Sequence, residues 1–190
     1  MTADQLREQL NGKRIHKPKV MELVAGIRTN AKLIVPLLAT VHEQDKQGML
    51  NACWVFDHVL RQHPEIILLV LDPFLEGLPK MQSESCMRTM AHACEHLTEY
   101  YFKKKHPLFT AQVTSSQLEK IATVCFDWLI SDHKVATKVF AMTSLFYLGE
   151  KFLWIRPELK LYLEQNIGSG SAGFQNRGAK LLVKLKNLGY

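Results

Sequence analysis

A chain of 190 residues, 47% of them apolar, is long enough to bury a core and too apolar to be disordered. Its formal charge of +6 suits an acidic partner without requiring one. Met1 to Arg14 is polar and lacks the apolar run of a secretory signal, and the longest apolar run, Ile66 to Leu71, is far too short to cross a bilayer.

The charge is uneven. Residues 1–32 carry seven basic and three acidic side chains, residues 33–100 four and nine, and residues 101–190 thirteen and six. Both ends are therefore basic and the middle is acidic. The four cysteines, Cys53, Cys86, Cys94 and Cys125, form no C-x-x-C and sit inside apolar helical patterns. That use reads as reduced core residues of a cytoplasmic protein without membrane association.

In chain order, the apolar spacing and the breaks predict helices over 3–10, 18–28, 30–42, 45–62, 64–78, 84–103, 116–131, 134–150, 156–167 and 172–187. Met49, Ala52, Cys53, Phe56, Val59 and Leu60 fall on one helical face, and Leu118, Ile121, Ala122, Cys125, Trp128 and Leu129 repeat those offsets. Trp54 borders the first face, and Leu182 belongs to the apolar pattern of the last segment, so Trp54, Phe56, Trp128 and Leu182 are the predicted large core residues. Pro18, Pro64 and Pro157 suit first turns. Pro36 and Pro73 fall inside helical patterns and predict kinks. Ser83 with Ser85, Ser115 with Ser116, Asp132 and Ser171 are the expected N-caps. His106 to Thr114 is the one long stretch expected to be non-helical. No run alternates as a strand would, so the chain reads as all-α.

The segments pair into four hairpins: 30–42 with 45–62, 64–78 with 84–103, 116–131 with 134–150, and 156–167 with 172–187. Their second helices begin near Asp45, Ser83, Asp132 and Ser171, in steps of 38, 49 and 39 residues. A period near 40 is the mark of a helical repeat array. There is also a local echo. Met49-x-x-Ala52 through Phe56 and Leu60 runs into His63-Pro64-Glu65-Ile66, as Val135 through Val139, Met142 and Phe146 leads on to Ile155-Arg156-Pro157-Glu158-Leu159. In these features residues 30–188 resemble proteins of the HEAT/armadillo type. The resemblance implies a single domain over 1–190, an α-α superhelix of about four hairpins with a helical N-terminal extension over 1–29.

Three motifs bear on chemistry. His92-Ala93-Cys94-Glu95-His96 matches H-x-x-E-H, in which two histidines one turn apart bind zinc and the glutamate is a general base. It resembles the inverzincin metallopeptidases, and a metal-dependent hydrolase would use His92 and His96 as ligands. Arg88, His92, Glu95 and Glu99, however, form the stripe opposite Met87, Met90, Ala91, Cys94, Leu97 and Tyr101, as a solvated face would. The expectation is therefore no bound metal and no cofactor. Gly168-Ser169-Gly170-Ser171-Ala172-Gly173-Phe174-Gln175-Asn176 is faintly similar to the catalytic loop of the fumarase and adenylosuccinate lyase superfamily. It lacks the Met-Pro pair and lysine of that signature, and reads as a turn into the last helix.

The third motif is basic. Arg177, Lys180 and Lys184 share one helical face, with Lys186 nearby, and Lys103 to Lys105 form a run elsewhere. Clustered cations of this kind contact phosphates. Trp54 with Asp57, or Asp127 with Trp128, are similar to the aromatic and acidic residues of HEAT-like alkylation-repair DNA glycosylases. The preferred expectation is a non-enzymatic scaffold that binds another protein through the second helices of its hairpins, with His58, Arg61, Arg88, His92, Glu99, Lys138, Arg177, Lys180 and Lys184 as its contact set. Nucleic-acid binding is the alternative.

Overall fold

The computed structural model describes residues 1–43 and 46–190. The described residues are 82% helical, and no strand occurs among them. Asp45, the expected start of one second helix, lies outside them. The helices fall into two compact units, Met1–His96 and Leu97–Tyr190.

The first unit begins with α1 (Ala3–Leu10), opened by a capping box in which Thr2 and Gln5 satisfy each other's backbone N–H groups. Helix α2 (Lys17–Thr29) carries Pro18 in its first turn. A 3-10 turn, Ala31–Leu33, leads into α3 (Ile34–His42), and α4 (Lys46–Gln62) follows. A 3-10 stretch, Pro64–Val70, then runs into α5 (Leu71–Gly77), and α6 (Glu84–Thr98) ends the unit. Pro36 and Pro73 were expected to kink continuous helices. Each instead falls in the first turn of an α-helix that restarts after a 3-10 segment, where a missing N–H costs nothing.

Helix α4 organises this unit. Met49, Asn51, Ala52, Cys53, Val55, Phe56, Val59 and Leu60 are all buried, and α1, α2, α3 and the 64–70 stretch pack around them. Phe56 is completely enclosed and lies 6.3 Å from the Phe74 ring, nearly parallel to it. Asn51 is the polar exception, and its bonds explain its burial. Its amide nitrogen donates to the carbonyls of Leu10 and Lys13, and its Oδ1 accepts from the Ile15 N–H. One side chain thus fixes the connection between α1 and α2.

The second unit opens with a π-helical turn, Glu99–Lys103, followed by α7 (Pro107–Gln112), α8 (Ser115–Ile130), α9 (Val135–Leu148), α10 (Ile155–Asn166) and α11 (Ala172–Asn187). The stretch 106–114 was expected to be irregular. It contains α7 because Pro107 starts a helix well and Phe109 is buried. Helix α8 is capped by Thr114, in a capping box with Gln117, one residue before the expected serines. Lys134 takes the N-cap position of α9 expected for Asp132. Ser171 does precede α11, but its side chain makes no cap bond.

Helix α9 is the core of this unit. The five consecutive residues Ala141 to Leu145 are buried, with α8, α10, α11 and the 99–103 turn around them. Thr143 and Ser144 tolerate burial because their hydroxyls donate to the carbonyls of Val139 and Phe140, one turn back. Of the four expected hairpins, α3 with α4, α8 with α9 and α10 with α11 pack as pairs, while the 64–70 stretch lies on α3 and α4. Phe56 and Trp128 are buried as expected; Trp54 and Leu182 are only half-buried, and Leu181 takes the inward position.

Because Phe56 is enclosed on all sides, Phe56→Ala should cost about 3–5 kcal/mol. Urea unfolding of the variant should show a lower midpoint with an unchanged slope. An unmoved midpoint would contradict the packing described.

Candidate functional site

The two units carry different polar arrangements. In the first, α4 presents Trp54, Asp57, His58 and Arg61 along the stripe that its core face leaves over, and α6 brings His92 and His96 beside them. The Asp57 carboxylate lies 2.5 Å from His92 Nδ1 and accepts from Arg61 Nε at 2.8 Å. The His92 and His96 rings stack at 4.3 Å, tilted by 47°. His58 Nδ1 turns back to the Trp54 carbonyl, and the Arg14 guanidinium sits 5.4 Å above the Trp54 ring.

His92 was expected on a solvated face. Its side chain is only 14% exposed, because Asp57 draws the ring in toward α4. Burial alone would raise the Asp57 pKa. The His92 hydrogen bond and charge, with Arg61, outweigh that effect and hold it below its ordinary 3.8. No three His, Cys, Asp or Glu side chains among the described residues form a group that could hold a metal ion. Among the contact residues, His58, Arg61 and His92 meet around Trp54 and Asp57, while Arg88 is exposed on α6.

In the second unit the expected basic face is divided: Arg177 is half-buried, while Lys180 and Lys184 are exposed. Arg177 Nη1 donates to Thr143 Oγ1 at 2.7 Å. The Lys184 ammonium and the Arg156 guanidinium both lie over the Phe146 ring, at 5.5 and 5.6 Å. Gly149 permits this, since a Cβ there would collide with Arg156. Lys180 is exposed. In the 103–105 run, Lys103 pairs with Glu99 at 2.8 Å and Lys104 sits 3.7 Å over the Tyr100 ring. Lys138 lines a cleft of about 230 Å³ with His133, Tyr162, Asn166 and Phe174. The Gly168–Gly173 segment forms part of its rim through Ser169, Gly170 and Ser171.

The sequence reading missed an apolar surface. Phe126 of α8 stacks on Trp154 at 5.4 Å and 18°. Ile130, one turn along α8, is 60% exposed, Trp154 is 55% exposed and Leu153 is 69% exposed. Trp154 is the residue just before α10, and Leu161, within that helix, is exposed as well. Tyr162, whose hydroxyl donates to the Leu129 carbonyl at 2.7 Å, ties the two helices together below this surface. A sequence signal existed: Ile130 falls outside the core offsets of its helix, and Leu153 and Trp154 lie between two predicted helices.

This geometry defines an all-α protein that carries a carboxylate–imidazole cluster at Asp57 and His92 and an exposed apolar surface at Ile130, Leu153 and Trp154. No helix among the described residues is long and apolar enough to cross a membrane. No known protein family, curated protein or solved structure matches the chain.

The lowered Asp57 pKa fixes a sign. The stability that Asp57 contributes is fully present above its unfolded value near 3.8 and is lost as the pH falls through its lower folded value. Asp57→Asn should cost about 2 kcal/mol near neutral pH and flatten the acid limb of a stability profile. Urea midpoints measured from pH 6 to pH 3 check both.

Proposed function

We propose that the protein is a non-enzymatic helical scaffold, of the HEAT-like kind that its sequence period suggests, and that it binds another protein. The observation that carries this reading is the exposed apolar surface of Ile130, Leu153 and Trp154, with the half-buried Phe126 stacked on Trp154. Contiguous apolar side chains left in water raise the free energy of the isolated chain, and an amphipathic helix of a partner protein would relieve it. Aromatic side chains such as Trp154 are also the usual anchors of such contacts. The charged residues of the expected contact set would then act at the rim, setting orientation and association rate.

The test places a photo-crosslinking amino acid at Leu153 in cells, with a control at the exposed Lys120. A discrete protein adduct at position 153 only, lost on Ile130→Asp, is the expected result. Equal labelling at both positions, or an adduct consisting of a second copy of this chain, would contradict it.

The alternative reading, nucleic-acid binding, draws on the convergence of Arg156, Arg177 and Lys184 around Phe146 and Thr143. If Arg177, Lys180 and Lys184 each contact a phosphate, the log–log salt slope for duplex DNA is about −3. Because Arg177 and Lys184 already have internal partners, Thr143 and the Phe146 ring, the scaffold reading expects weak binding that Arg177→Glu/Lys180→Glu/Lys184→Glu leaves almost unchanged. Fluorescence titration of duplex DNA at two salt concentrations separates the two.

A further inference from the structure

Helices α4 and α6 are joined by a second contact beside the Asp57–His92 pair. Cys53 and Cys86, 33 residues apart, bring their Sγ atoms to 2.9 Å. Both are free thiols, and both are buried, at 3% and 1% exposure. The separation lies well inside ordinary contact between sulfur atoms and is less than about 1 Å longer than an S–S bond. Small rotations about the two Cα–Cβ bonds would close it.

The surroundings make the two sulfurs unequal. Cys86 is the third residue of α6, in the first turn, where the free backbone N–H groups and the helix dipole favour a thiolate. The hydrogen bond between the two sulfurs lowers the Cys86 pKa; burial opposes this, and a bond with Ser83 adds to the lowering. The same bond raises the pKa of Cys53, as do its burial and the negative charge of Asp57, one turn along α4. One sulfur is thus poised to react as the nucleophile and the other to follow as the resolving thiol.

We propose that Cys53 and Cys86 are a redox-active dithiol that a small hydroperoxide converts to a reversible disulfide linking α4 to α6. With hydrogen peroxide, the Cys86 thiolate attacks one oxygen, the O–O bond breaks, and the departing hydroxide takes up the one proton the Cys86 thiol released and leaves as water. Cys86 is then a sulfenic acid. Cys53 Sγ displaces its hydroxyl, which leaves with the thiol proton as a second water. The two thiols lose two electrons and hydrogen peroxide gains them. The burial of both sulfurs selects a small uncharged oxidant over a bulky disulfide.

The experiment treats the reduced full-length chain with equimolar hydrogen peroxide, then alkylates it under denaturing conditions and maps it by mass spectrometry. The expected product is about 2 Da lighter than the reduced protein before alkylation. It should carry a single Cys53–Cys86 bridge, with Cys94 and Cys125 still alkylated. Dithiothreitol should restore all four thiols, and the oxidised form should melt several degrees higher than the reduced form. In Cys53→Ser, a sulfenic-acid trap such as dimedone should label position 86. In Cys86→Ser, position 53 should stay unlabelled. A wild-type chain that keeps all four thiols alkylatable after peroxide, or that forms scattered bridges, would overturn the proposal, whatever the serine variants do.

Discussion

A helix such as α9, with Ala141 to Leu145 all buried, cannot be satisfied by a single neighbour. Its buried residues point in every direction around the axis, so neighbours must cover it from several sides. Helices α8, α10 and α11 do so in the second unit, and α1, α2, α3 and the 64–70 stretch do the same for α4 in the first. The outer helices each need only one apolar face, for example Ile155, Leu159 and Leu163 on α10. Their other faces are left for solvent and for partners.

Burying a helix on most sides raises the cost of any polar group it carries. In α9 the hydroxyls of Thr143 and Ser144 return to their own helix. In α4 the polar groups reach outward and specify the packing instead. Asn51 holds the connection from α1 to α2, and Asp57 holds His92 of α6. A purely apolar α4 would still collapse, but nothing would fix the position of α6 along it. Cys53 and Cys86 come together as a consequence, because they lie on the same two helices.

The helices were legible because the offsets of Met49 to Leu60 and of Leu118 to Leu129 are one-dimensional facts. Their ends were less so. Thr114 displaced Ser115 as a cap because its capping box uses Gln117, a signal present in the sequence and passed over. The inward turn of His92 was not legible, because it depends on Asp57 across 35 residues of chain. The same holds for Arg177, whose partner Thr143 is 34 residues away. Periodicity places a side chain on a face; only the packing of the next helix decides whether that face meets solvent.

If α4 and α9 organise their units, they should be the last segments to open. Native-state hydrogen exchange at residue resolution measures this. The account predicts that the amides of residues 52–60 and 141–148 are the slowest in the chain and exchange only through full unfolding of their units. Equal or slower exchange in the outer helices α2 or α11 would contradict it.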